Sequence, residues 1–278
     1  MRRVLLLIAC LLPLTGCAGL GATSEKAIAY LPVNDAQPGR GTEFAFFVSG
    51  EPGASLPVRV DGLPPGWSFQ PDFPTIKIPG DAGSTTLLAR ITPALDAPHA
   101  PQALTVLVGN ARAPITVNVR PLGDQPARAG IGVVLRYVLF LDNGSLVESD
   151  DPAAFERGIP NATIAGSEHS TDPLNVYVGG QRGTRPPEPY NSTNCQQGDS
   201  GPCYHPVIVG FNERIENAGD GAGMLAGETL AVRVPKEKAY HTPGNEASPV
   251  YDLNLNFLIR IERVDVLAAK SCALPVCA

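Results

Sequence analysis

Basic charge, histidine, cysteine and aromatic residues are all scarce in this chain, and each shortage removes a class of function. Lysine and arginine number 21 against 27 aspartates and glutamates, a net charge of −6. That balance offers no basic face of the kind nucleic acid requires. The histidines, His99, His169, His205 and His241, are scattered rather than clustered, so no metal site is expected, and no other cofactor. No two cysteines form a Cys-x-x-Cys pair, which removes the dithiol redox motif. Aromatics make up 6% of residues, with Trp67 the single tryptophan. Hydrophobic residues reach 44% while charged residues stay at 17%, a globular rather than a disordered balance.

Turn formers are abundant, with 29 Gly and 28 Pro in 278 residues. That implies one or two strand-rich domains. Arg2 and Arg3 precede an apolar stretch, Val4 to Leu14, that is too short to span a bilayer. Residues 18–28 have the composition of a tether. Between about 29 and 122, short strands alternate with turn signals: Glu43 to Val48, Leu56 to Val60, Thr75 to Ile78, Thr85 to Ile91, Ala103 to Val108 and Ala113 to Val119. This spacing predicts an immunoglobulin-like β-sandwich. Trp67, after the turn Pro64-Pro65-Gly66, is expected to plug its core. A linker is expected at 123–130 and a second domain over 131–267, opening with the strand Val133 to Phe140 and a turn at Asp142-Asn143-Gly144. A tail occupies 268–278.

Two motifs carry less than they suggest. Gly198-Asp199-Ser200-Gly201 looks like a serine-protease nucleophile loop, but the chain offers no oriented His to serve as base. Gly219-x-Gly221-x-Gly223 does not join a strand to a helix as a dinucleotide site does; a flexible loop is expected there.

Leu14-Thr15-Gly16-Cys17 resembles a bacterial lipobox. The resemblance implies cleavage before Cys17, acylation of that residue, and an extracytoplasmic protein anchored by lipid in the cell envelope. The alternative is an ordinary secretory signal that leaves Cys17 incidental. With Cys10 removed and Cys17 acylated, Cys195, Cys203, Cys272 and Cys277 remain. In an oxidising compartment they allow three pairings. The local one, Cys195–Cys203 with Cys272–Cys277, closes the smallest loops and is the expectation.

The second domain holds, in order, Val133-Val134-Leu135-Arg136-Tyr137, Val207-Ile208-Val209-Gly210-Phe211, Gly227-Glu228, Leu230 to Tyr240, and Leu255 to Val264. In this order and spacing the segments resemble the FK506-binding-protein (FKBP) family of peptidyl-prolyl isomerases. The resemblance covers about 130–265. It implies a mostly β fold with a short helix: an α+β half-barrel, an antiparallel sheet wrapped on that helix, following the sandwich. Relative to the family, 150–173, 180–206 and 216–223 are insertions. Tyr137, Glu148 and Tyr240 stand at the catalytic positions. Val147, Leu174, Val176, Val207, Ile208, Phe211, Val250 and Phe257 stand at the substrate-binding positions. Val147, Leu174 and Val176 replace aromatic residues usual in the family, and Ser248-Pro249-Val250-Tyr251 replaces its Ile-Pro-Pro. The implied partners are proline-containing exported polypeptides. The rival reading is a non-catalytic binding or structural surface lipoprotein of the same fold.

Overall fold

The computed structural model describes residues 24–162, 164, 174–179, 205–206, 209–241 and 246–265. The chain is mostly β. Its first strands are β1 (Lys26–Ala29), β2 (Val33–Ala36), β3 (Thr42–Ser49), β4 (Ser55–Asp61), β5 (Ser68–Pro71), β6 (Thr75–Lys77), β7 (Ser84–Thr92), β8 (Pro101–Val108) and β9 (Ala111–Val119). They form two sheets, ordered β1-β3-β7-β5 and β2-β9-β8-β4-β6. The entering chain contributes first to one sheet and then to the other, where β2 runs parallel to β9. This is the immunoglobulin-like sandwich. Alternation explains its core: Phe44, Phe46, Leu87, Ile91, Val106, Val108 and Val117 point between the sheets and are buried. Trp67 packs against this core but is only half-buried, so it covers the core rather than plugging it. The sandwich starts at Lys26, inside the expected tether, because Ala27 and Ala29 belong to its core.

The rest of the chain adds β10 (Pro126–Ala127), β11 (Ile131–Phe140), β12 (Leu146–Ser149), β13 (Leu174–Val178), β14 (His205–Pro206), α1 (Val209–Glu216), the single turn α2 (Ala218–Gly221), β15 (Met224–Leu225), β16 (Thr229–Val234) and β17 (Leu255–Asp265). The main sheet is ordered β14-β13-β11-β17-β16, with β12 also on β11. It curls as a half-barrel over α1. Val133, Leu135 and Leu139 of β11, with Leu255, Ile259 and Ile261 of β17, face α1. Val138 and Phe140 of β11, Ala231 of β16 and Leu258 of β17 face the other way, into a third core shared with Tyr30, Ala45 and Phe47 of the sandwich.

The sandwich and the half-barrel are therefore stacked sheet on sheet, not strung as beads. β3 and β11 are buried on both faces, which is why each reads as a continuous apolar run rather than an alternation. At the centre Tyr30, fully buried, stacks on Phe140 with ring centroids 4.3 Å apart and donates its hydroxyl to the Gly144 carbonyl at 2.5 Å. The expected linker is tied down: Pro126 and Ala127 pair with β15, and the Gly123 amide donates to Ala226 O at 2.9 Å.

Two expected insertions also dock on this seam. Pro152–Glu156 forms a 3-10 turn capped by Asp151. Ala154 within it is fully buried in the shared core, and Arg157 donates to the Tyr30 carbonyl. The glycine-rich stretch expected to be a flexible loop is instead packed. Arg40 donates to the Gly223 carbonyl at 2.7 Å and pairs through two hydrogen bonds, 3.1 and 2.7 Å, with Glu228, itself 1% exposed. Gly223 has φ +95°, and a Cβ there would lie 2.3 Å from the Ala127 carbonyl oxygen. The close approach excludes any side chain.

Candidate active site

The concave side of the half-barrel gathers most of the residues singled out from the sequence. Its back wall is β11. Tyr137 faces inward, half-buried, and its hydroxyl donates to Glu148 Oε1. The pairing is possible because β12 is bulged against β11. Leu139 lies opposite Glu148 and Phe140 opposite Leu146, so Val147 is the extra residue. A bulge re-aims side chains. Here it turns both Val147 and Glu148 to the concave side, while Leu146 goes to the shared core. The adjoining wall is β13, with Leu174 opposite Leu135 and Val176 opposite Val133. Val176 is buried and Leu174 half-buried.

The floor comes from α1 and β17. Phe211 is 3% exposed, and its ring meets Phe257 edge to face, centroids 5.2 Å apart at 87°. Val250 packs on the same cluster, half-buried. Tyr240 sits at the rim, 38% exposed, after the 3-10 turn Lys236–Lys238. Beside it His241 stacks on Tyr251 at 4.4 Å and places Nδ1 3.1 Å from Asp252 Oδ1. Val207 and Ile208 lie outside the described residues, as do Cys17, Cys195, Cys203, Cys272 and Cys277.

Electrostatics keep the wall tyrosine neutral. Burial pushes the Tyr137 phenol well above its ordinary pKa, with the bond to Glu148 and the charges of Glu148 and Asp150 adding to it. Asp150 was not singled out by sequence reasoning. It is 2% exposed, its Oδ1 accepts from the Tyr137 amide at 3.2 Å, and burial raises its carboxyl to about 6. The acidic run Glu148-Ser149-Asp150-Asp151 at a strand end was the available signal.

A second group missed in the sequence is Glu43, with Arg214. The Glu43 carboxylate accepts from the Ala231 amide at 2.8 Å and from Arg214 Nη2 at 2.5 Å, while Arg214 Nε donates to Ala231 O at 3.2 Å. β16 is an edge strand, and this pair satisfies its backbone as a neighbouring strand would. Arg214 lies one turn beyond Phe211, so the sandwich grips the helix that carries the floor.

Chemically, the basin is an apolar concavity with a phenol–carboxylate pair in its wall and a second phenol at its rim. Such a site can desolvate and orient an amide. Among the described residues no group of three or more His, Cys, Asp or Glu is placed to hold a metal ion. Compared with protein-family models and with curated proteins, the chain matches none.

Proposed function

We propose that the basin is a peptidyl-prolyl cis-trans isomerase site of the FKBP type, carried by an exported lipoprotein that assists folding of other exported polypeptides. The observation that carries this reading is the convergence of Phe211, Phe257, Val147, Leu174 and Val176 around the Tyr137–Glu148 pair. The chemistry requires no nucleophile. The barrier to X–Pro rotation is amide resonance, about 18–20 kcal/mol. A planar amide is more dipolar than a twisted one, so an apolar basin disfavours the ground state relative to the transition state. Phe211 and Phe257, with Val207 and Ile208, hold the pyrrolidine ring. Tyr240 at the rim orients the carbonyl that precedes the proline. Glu148 fixes the Tyr137 phenol, so the wall keeps one hydrogen-bonding geometry. Residues 1–17 supply the export signal, and acylated Cys17 holds the protein at the envelope membrane.

The test is isomerisation of a proline tetrapeptide followed without a coupling protease. The full chain is expected to accelerate it, and Phe211→Ala to lose at least tenfold in kcat/KM, since it opens the floor to water. Tyr240→Phe, which removes one donor, is expected to lose about two- to tenfold. Wild type indistinguishable from the uncatalysed rate would refute the isomerase reading and leave a non-catalytic polypeptide-binding basin.

A further inference from the structure

The seam between sandwich and half-barrel holds a charged cleft on the face of the main sheet away from the basin. It measures about 340 Å³, and Pro32, Val33, Arg136, Asp150, Arg157 and Arg260 are among its walls. Arg260 also lines a neighbouring cleft of about 570 Å³, and Pro32 and Val33 line a third of about 490 Å³. The three adjoin along the edge strand β2. Arg136 and Arg260 lie directly opposite each other across β11 and β17, a like-charge pairing that costs stability. Arg136 is compensated by Glu262 at 2.5 Å and Asp150 at 3.7 Å. Arg157 is paired with Asp151 at 2.8 Å, and Arg120 of the neighbouring cleft with Asp35. Arg260 is half-buried, and its guanidinium makes no hydrogen bond or close ion pair among the described residues, only a longer-range attraction to Asp150. Asp150, 2% exposed, leaves Oδ2 without a hydrogen-bond partner.

We propose that this seam binds an extended polypeptide that sets a single carboxylate on the Arg260 guanidinium and an apolar side chain on the Pro32–Val33 lip. A planar carboxylate suits the guanidinium fork. A phosphate dianion does not suit the site, because Asp150, Asp151 and Glu262 stand close by and the remaining arginines are already neutralised. Val33, 46% exposed, supplies the apolar contact. Adjoining clefts along an edge strand fit an extended chain better than a compact acid. The proposal does not depend on the isomerase reading, since its residues face away from the basin.

The probe is a fluorescein-labelled, C-terminally amidated octapeptide of Ala and Val with one central Asp, compared by anisotropy with the same peptide carrying Asn. The full chain is expected to bind the Asp peptide at least tenfold more tightly, and Arg260→Gln to abolish that preference, with Arg260→Lys intermediate because the fork is lost. Affinity for the Asp peptide is expected to rise as pH falls from 7.5 to 5.5. Asp150, faced by Arg136, Arg157, Arg260, Asp151 and Glu262, gives up its opposing charge in that window. At pH 5.5, where Asp150 has largely given up the charge that attracts Arg260, Arg260→Gln is expected to melt no lower than wild type, since it breaks no side-chain hydrogen bond and relieves Arg136. Equal binding of the two peptides, a preference that survives Arg260→Gln, or a lowered melting temperature in that variant would each overturn the proposal. The last would make Arg260 a structural residue.

Discussion

Replacing Glu43 by Ala tests whether the sandwich and the half-barrel are one cooperative unit. The change removes the acceptor of the Ala231 amide and the partner of Arg214. It leaves the Ala231 N–H and Arg214 Nη2 without their acceptor, while Arg214 Nε keeps its bond to Ala231 O. Hydrogen bonds to charged groups net about 1.5–3 kcal/mol each, and they do not add fully. A fully buried pair broken on one side costs about 3–5 kcal/mol. The Glu43 side chain is 13% exposed and that of Arg214 32%, so solvent recovers part of the loss. The expected cost is about 2–4 kcal/mol, a large share of the 5–15 kcal/mol typical of a folded protein. At about 2–4 °C per kcal/mol for a chain of this size, the melting point should fall by several degrees or more. Glu43→Gln, which keeps one acceptor oxygen, should cost about half as much. Urea unfolding followed by far-ultraviolet circular dichroism and by Trp67 fluorescence gives the assay, and the two probes should report one coincident transition. In a cycle with Arg214→Met the coupling should reach about 1 kcal/mol. A loss under about 0.5 kcal/mol, additive with Arg214→Met, would mean that the clamp does not hold the sheets together.

Gly223→Ala should destabilise by about 1–3 kcal/mol, because it combines a positive φ with a collision against the Ala127 carbonyl. Gly221→Ala, with φ +85° and open space around it, should cost only the backbone strain of about 1–2 kcal/mol; equal melting points would place the collision elsewhere. Cys17→Ala should move the protein from the detergent-extracted membrane fraction to the soluble one. A variant that still resists salt extraction would reject the lipid anchor. Peptide mapping without reductant should recover Cys195–Cys203 and Cys272–Cys277, and free thiols or crossed pairs would reject that pairing.

The sandwich was legible because its strands alternate. Ile115 and Val117 point into the core while Pro114 and Thr116 do not, and period two states the face directly. The stacking was legible in principle but harder to read. Phe44-Ala45-Phe46-Phe47-Val48 and Val133-Val134-Leu135 break the alternation because both faces are buried, yet a continuous run does not say what covers the second face. The floor residue Phe211 and its neighbour Phe257 came from the family resemblance and do meet. The inward turn of Val147 and Glu148 together was implied by the family resemblance alone and not by periodicity, since a one-residue bulge leaves no periodic mark. The same holds for Glu43, Arg40 and Glu228. Long-range ion pairs join residues 171 and 188 positions apart, and nothing local in the sequence pairs them. The glycines at 219, 221 and 223 looked like freedom and are instead places where the backbone has to approach a neighbour or take positive φ.

Asp150 makes the pH dependence of stability run against the usual direction. Its folded carboxyl titrates at about 6, raised by burial and by Glu262 against the pull of the Tyr137 amide, Arg136 and Arg260. An unfolded aspartate titrates near 3.9. The proton therefore binds the folded chain more tightly. The stabilisation from protonating Asp150 is fully present below about pH 4 and is lost as pH rises through about 6. The gap of about two pH units corresponds to about 3 kcal/mol. Other carboxylates obscure this in wild type, because the paired ones lose stability as they are protonated. The difference between wild type and Asp150→Asn isolates it, since Asn is neutral throughout and can still accept from the Tyr137 amide. Wild type should gain on the variant by about 2–3 kcal/mol between pH 7.5 and pH 4.5, measured from urea midpoints. The Tyr137 amide resonance should shift over the same range with a midpoint near 6, because its acceptor changes charge. The phenol of Tyr137 stays protonated throughout, so it should contribute nothing to this response. A flat difference, or one in which the Asn variant gains as pH falls, would mean that Asp150 is ionised and compensated in the folded chain, and the desolvated carboxyl behind Tyr137 would have to be given up.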